Sequence, residues 1–247
     1  MKKFGLIGKS LKHSFSKNFF TDKFQRENID AQYELYELDI VDKVKELVKD
    51  PDLIGLNVTI PYKEEIIPYL NDIDPTAKAI GAVNTIKISH YDGKTTLKGY
   101  NTDLIGFSDS LKPQLKPYHN KALILGTGGA SKAVLYALKQ LGIKSTYVSR
   151  TAHEGALSYQ DLDENVMAEY LLIVNCSPVG MFPHVDEAPN IPYHLLTEKH
   201  YLYDLVYNPL HTQFCQKGEE KGAVTKNGLD MLHGQAIASW KIWNDIK

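Results

Sequence analysis

Residues 123–131 read Leu-Ile-Leu-Gly126-Thr127-Gly128-Gly129-Ala130-Ser131, an apolar run, a glycine turn and a helix start. A dinucleotide site needs this chemistry. Gly126 permits the tight turn, Gly128 lets the backbone approach a pyrophosphate, and the helix N-terminus supplies free N–H groups and partial positive charge. Turns of this composition also occur without ligands, so the flanks decide. The following strand ends in Ser149-Arg150-Thr151, with no Asp or Glu for a ribose 2′-hydroxyl. Arg150 offers a planar fork of donors suited to a 2′-phosphate, and its two hydroxyl neighbours add hydrogen bonds. NADP is therefore expected over NAD.

Four short polar motifs precede this segment: His13-Ser14-Phe15-Ser16, Asn57-Val58-Thr59-Ile60-Pro61-Tyr62-Lys63, Gly81-Ala82-Val83-Asn84-Thr85 and Gly99-Tyr100-Asn101-Thr102-Asp103. Each has a structural reading beside a chemical one. Ser14 and Ser16 could cap a helix beginning near Lys17, Asn84 and Asn101 could be turn residues, and Asp103 could be the N-cap of a helix from Leu104. Lys63 is harder to place structurally, because a Pro-Tyr-Lys step ending a strand is where an α/β sheet presents its functional loops.

The elements that must position these residues alternate. Strand patterns at 3–7, 33–38 and 54–58 are separated by helical patterns at 17–27 and 42–49, which argues for a parallel sheet covered by helices. Residues 85–90 and 95–100 flank Asp92-Gly93, an antiparallel hairpin signal. A second unit begins near Leu104, with a strand entering the glycine turn, further strands at 145–149, 171–175, 201–205 and 223–225, and helices at 131–141 and 211–221. Residues 229–246 carry apolar side chains at helical spacing. Two α/β domains with a cleft between them are expected.

Composition narrows the partners. The chain has 247 residues, enough for a sizeable core, and its formal net charge of -2 gives no electrostatic footprint for nucleic acid or an acidic membrane. No apolar run approaches the roughly 20 residues needed to span a bilayer. Cys176 and Cys215 make no metal-ligand spacing and read as reduced thiols in a cytoplasmic protein; no metal is expected.

The four motifs, the glycine turn, Asp204-Leu-Val-Tyr207-Asn-Pro209-Leu and Asn227-Gly228-Leu-Asp-Met231-Leu-His-Gly-Gln235-Ala occur in the order found in shikimate dehydrogenases, and the chain resembles that family from Gly8 to Trp240. The resemblance implies an N-terminal, open, mostly parallel substrate domain (residues 1–103, completed by helix 229–247) and a C-terminal Rossmann-like NADP-binding domain (104–228). It implies reversible NADPH-dependent reduction of 3-dehydroshikimate to shikimate, with Lys63 and Asp103 flanking the reacting carbonyl. Ser14 and Ser16 would hold the substrate carboxylate with Tyr207 nearby. Thr59, Asn84 and Gln235 would bind ring hydroxyls. Gly126, Thr127, Gly128, Gly129, Ala130, Ser149, Arg150 and Thr151 would hold the dinucleotide, and Leu205, Gly228 and Met231 would line its nicotinamide side. The partner is a small molecule, and the protein is expected as a monomer or homodimer. The residue chemistry agrees: a polyhydroxylated acid needs several short polar side chains, and an ammonium beside a carboxylate can stabilise and protonate a developing alkoxide.

The chain also departs from the family pattern. Lys17 and Phe19-Phe20 stand where proline and a His-Asn pair are usual, Ser149 replaces Asn, and Glu154 stands near the place of a second basic residue. Only residues 152–170 separate Arg150 from the next strand, so a trimmed crossover with a short helix or none is expected. Three other readings stay open: an NAD-using quinate/shikimate dehydrogenase, a folate-type dehydrogenase of similar layout, and a non-catalytic nucleotide sensor.

Overall fold

The computed structural model describes residues 1–11, 14–151 and 155–246. His13 and Glu154 therefore lie outside the described residues. The chain divides into two compact units, one of Met1–Thr102 with Gln235–Lys247 and one of Asp103–Gly234.

The first unit runs β1 (Lys2–Gly8), α1 (Phe15–Arg26), β2 (Ala31–Glu37), α2 (Val44–Leu47), β3 (Leu53–Val58), α3 (Tyr62–Glu65), β4 (Asp72–Ile73), α4 (Pro75–Ile80), β5 (Thr85–Tyr91) and β6 (Lys94–Tyr100). Its sheet has the order β2-β1-β3-β5-β6-β4. β1 pairs in parallel with β2 and β3, whereas β5 is antiparallel to both β3 and β6. The hairpin between β5 and β6 turns at Asp92 and Gly93, both at positive φ (48° and 70°), the geometry that favours Asp-Gly there. Alternation along β1 sends Phe4 and Leu6 into an aromatic layer with Phe20, Phe24, Tyr33 and Trp243, while Ile7 joins the aliphatic layer on the other face.

The second unit runs α5 (Asp103–Leu111), β7 (Lys121–Leu125), α6 (Gly129–Gln140), β8 (Lys144–Ser149), β9 (Ala156–Ser158), α7 (Glu164–Glu169), β10 (Leu172–Asn175), β11 (Tyr201–Asp204), α8 (Gln213–Glu219) and β12 (Val224–Lys226). α9 (Leu229–Trp243) begins in this unit and ends in the first. Every strand pair in the second sheet is parallel, in the order β12-β11-β10-β7-β8-β9. Numbered within the unit this is 3-2-1-4-5-6, the order of doubly wound dinucleotide-binding folds, whose ligands bind where the winding reverses, outside the carboxyl ends of strands 1 and 4. Here those strands are β7 and β10.

Several local expectations are corrected. Lys63 does not end a strand: β3 stops at Val58 and Lys63 sits on the four-residue helix α3. Asp103 is the first residue of α5 rather than a residue preceding it. The trimmed crossover carries the expected short helix, the six-residue α7, and adds the three-residue edge strand β9. Among the described residues no helix is long and apolar enough to cross a membrane.

Candidate active site

In the first unit, the carboxyl ends of β1, β3 and β6 and the amino end of β5 share one edge of the sheet. Parallel pairing aligns β1 with β3, and the antiparallel β5 returns beside β3 with Asn57 opposite Thr85 and Thr85 opposite Tyr100. The sequence motifs lie on the segments that leave or enter this edge.

Ser14 follows β1 and caps α1, its Oγ accepting from the Lys17 N–H at 3.3 Å. The capping reading therefore holds for Ser14. Ser16 is not a cap: it lies within the first turn of α1, buried, with its hydroxyl against the Tyr33 phenol.

Thr59 follows β3, its N–H donating to the Ile7 carbonyl at 3.0 Å. α3 is then pinned from two sides. The buried Tyr62 hydroxyl donates to the Leu38 carbonyl at 2.6 Å, and the Val83 N–H donates to the Lys63 carbonyl at 2.7 Å. That second bond ties the half-buried Lys63 to the segment leading into Asn84.

Asn84 is buried, and its Oδ1 accepts from the Thr102 N–H at 2.7 Å. Asn101 donates to the Ala82 carbonyl at 2.9 Å, a turn role. Gln235, also buried, lies on the part of α9 that belongs to this unit. Asp103 is buried at the head of α5 and belongs to the second unit.

In the second unit the glycine turn leaves β7 as expected. Gly126 has φ +98°, a conformation that side chains other than glycine's rarely adopt, and Ser177 crowds its Cβ position at 3.3 Å. A Cβ at Gly128 would meet nothing within 4 Å, so that face of the turn is open. Gly128 is also the N-cap of the twelve-residue α6 and supplies no capping side chain, leaving first-turn amides for an anion. Thr127 is exposed, with Gly129 and Ala130 half-buried behind it.

Past β8, Arg150 and Thr151 are exposed and Ser149 Oγ donates to the Thr151 carbonyl. No carboxylate stands among these three residues. The donor set fits a dinucleotide with a 2′-phosphate: backbone amides for the pyrophosphate and a guanidinium for the extra charge.

Two residues with no role assigned from sequence organise this end of the sheet. Asp204, fully buried at the end of β11, accepts from Asn175 Nδ2 (2.9 Å), the Val206 N–H (3.0 Å) and the Thr212 hydroxyl (2.6 Å). Burial outweighs these three donors and pushes its carboxyl up to about 6. Asn175, at the end of β10, accepts through Oδ1 from the Ser177 N–H and hydroxyl, the same Ser177 that crowds Gly126.

The clamp also holds the half-buried Leu205, two residues before the half-buried Tyr207. The Leu205 N–H donates to the Asn175 carbonyl at 2.9 Å, and burial raises the Tyr207 phenol above its ordinary value. Gly228 donates to the Val206 carbonyl at 3.1 Å, and any Cβ there would run into the Leu205 carbonyl. Met231 is buried one turn into α9. The signal for Asp204 was its place in the Asp-Leu-Val-Tyr motif; Asn175 carried none, because its link to Asp204 spans 29 residues.

Among the described residues no group of three or more His, Cys, Asp or Glu could hold a metal ion. Burial raises the thiols of Cys176, beyond the usual range, and Cys215, to about 11, so both stay protonated.

A doubly wound sheet with an uncapped glycine turn in one unit, and polar motifs on one sheet edge in the other, define a class of two-unit α/β proteins. Comparison with known proteins gives the family. The shikimate dehydrogenase substrate-binding domain family matches residues 6–86. The NADP(+) shikimate dehydrogenase of Caldicellulosiruptor saccharolyticus is 38% identical over 100% of this chain and 93% of its own. The crystal structure of the Aquifex aeolicus shikimate dehydrogenase superposes with a TM-score of 0.87 at 37% identity, covering 99% of this chain and 92% of that one. A Thermus thermophilus enzyme solved in complex with NADP(H) and shikimate gives a TM-score of 0.86 at 30% identity, over 99% and 94%. The chain belongs to the shikimate dehydrogenase family.

Proposed function

We propose that this protein catalyses the reversible NADPH-dependent reduction of 3-dehydroshikimate to shikimate, a step of the shikimate pathway leading to chorismate and the aromatic amino acids. The observation that carries this reading is the gathering of Ser14, Ser16, Thr59, Lys63 and Asn84 on one edge of the first sheet. In this reading the two serines hold the substrate carboxylate, with Tyr207 supporting it. Thr59, Asn84 and Gln235 pair with ring hydroxyls, so an analogue lacking one leaves a buried group unpaired.

Lys63 gives a proton to the ketone oxygen as its negative charge develops, and Asp103 accepts from a ring hydroxyl. The dinucleotide, when bound, supplies the hydride. Gly126 to Ala130 hold its pyrophosphate, Ser149 to Thr151 its 2′-phosphate, and Leu205, Gly228 and Met231 border its nicotinamide.

The test is a rate matrix of shikimate and quinate against NADP and NAD, read by nicotinamide absorbance. Turnover dominated by shikimate with NADP is expected. Dominant turnover of quinate with NAD would replace this reading by that of a quinate/shikimate dehydrogenase, and no turnover at all would leave a nucleotide-binding sensor.

A further inference from the structure

A buried polar seam crosses the first unit behind Asn84. It contains Thr85, Thr102 and Ser239, all with no exposed surface, together with Asn57 and Asn84, which are 4% and 3% exposed. A hydroxyl has one proton to donate, so each hydroxyl of the seam must also accept.

Ser239 Oγ donates to the Gln235 carbonyl at 2.9 Å, which commits its proton. Ser239 must then accept from Thr85 Oγ1 at 2.8 Å and from Asn57 Nδ2 at 3.0 Å. Thr85 lies against Thr102 Oγ1 at 3.1 Å, Thr102 Oγ1 also reaches Asn84 Oδ1 and Ser239 Oγ at 3.2 Å each, and it accepts from Asn84 Nδ2 at 3.0 Å. Asn57 is oriented from its other end, because the Tyr33 hydroxyl can only donate to its Oδ1, at 2.7 Å. Asn84 is oriented likewise: its Oδ1 takes the Thr102 N–H. Its amide nitrogen is therefore the donor end by necessity.

We infer that Thr102, Thr85 and Ser239 form a hydroxyl network linking the Asn84 amide to the Gln235 turn of α9, and that they are positioning residues which hold these two hydroxyl-binding residues as one unit. The inference rests on the proposed shikimate reading for the roles of Asn84 and Gln235. Fully satisfied buried networks of this kind rigidify their members, and a missing link leaves donors unpaired.

Two variants of Thr85 separate this role from packing. Thr85→Val keeps the shape and removes the hydroxyl; Thr85→Ser keeps the hydroxyl and removes a methyl. For Thr85→Val the KM for shikimate should rise about ten-fold while the KM for NADP stays within about two-fold. Its preference for shikimate over an analogue lacking one ring hydroxyl should fall by a similar factor. Thr85→Ser should stay within about two-fold of wild type in both constants. A structural role alone would lower the melting temperature in both variants without moving the shikimate KM or the preference.

Equal kinetics for the two variants would overturn the inference. So would a folded Ser239→Ala protein with an unchanged shikimate KM, and that variant decides the matter if Thr85→Val does not fold. Failure of the wild-type protein to bind or oxidise shikimate would instead remove the proposed function itself.

Discussion

Lys63 and Asp103 stand at the ends of two separate motifs, one on the short helix α3 and the other at the head of α5. If Lys63 delivers the proton, Lys63→Met, which keeps the length but loses the charge, should lower kcat by about 10²–10⁴-fold with little change in shikimate KM. Steady-state kinetics decide it, and turnover within a few-fold of wild type would leave Lys63 only a binding role. Asp103→Ala should harm both constants.

At the other half-site, Arg150→Ala should raise the KM for NADPH far more than that for NADH, by the equivalent of about 1.5–3 kcal/mol for a lost charge-assisted pair. Parallel titrations of both cofactors check it; equal losses would mean that Arg150 does not read the 2′-phosphate. The residue types at these positions were legible because their chemistry is local. The pairing of Asp204 with Asn175 was not, since that bond joins strands β10 and β11.

At the level of elements, Ser14 and Ser16 differ by two positions and by role. Ser14 caps α1, so Ser14→Ala should cost roughly 1 kcal/mol of stability as well as weakening shikimate. Ser16→Ala removes no cap, and its effect should fall on substrate affinity. Thermal melts beside shikimate titrations separate the two, and a Ser16→Ala protein with unchanged affinity would remove Ser16 from the carboxylate site.

The long elements could be read from sequence because their periodicity is strong: α1, α6, α9, the hairpin at Asp92-Gly93 and the strand entering the glycine turn. The short ones could not. α3 is a single turn held by Tyr62 and by Val83, contacts that no periodicity announces. β4 and β9 have two and three residues and exist by pairing with an edge. α4 did carry signals, Asp74 capping Thr76 and Ala77 ahead of Pro75, and Gly81 in the left-handed conformation at its end.

For the molecule as a whole, acid acts on two buried histidines of the second unit. His119 accepts from the Lys116 N–H and donates to the Lys199 carbonyl; His200 accepts from the Thr197 N–H and donates to the Met167 carbonyl. Both rings are held neutral, and burial lowers both pKa values. The unfolded chain therefore takes up protons first, so this stability is present above the ordinary histidine pKa and is lost as pH falls below it.

Asp204 works in the opposite sense. Its raised value, about 6, gives stability that is lost as pH rises from the ordinary aspartate range through about 6. Melting temperature against pH should thus fall on the acid side. The fall should flatten in the double variant His119→Gln, His200→Gln and steepen in Asp204→Asn; an unchanged acid limb in both variants would remove these groups as its cause.

The path of the chain through the two units has a consequence for the order in which they can form. The second unit is one unbroken stretch, Asp103–Gly234, whereas the first needs Gln235–Lys247 to be complete. Trp243 packs on Phe4 with ring centroids 4.8 Å apart, fills the space left by Gly55 and donates to the Ile86 carbonyl at 3.0 Å. Ser239 closes the polar seam. On the ribosome, the strands that emerge first must wait through the synthesis of the whole second unit for the helix that seals them, so the later-made half should mature earlier. A chain truncated after residue 234 should resist proteolysis across 103–234 while residues 1–102 remain susceptible, and restoring residues 235–247 should then protect the amino-terminal half as well.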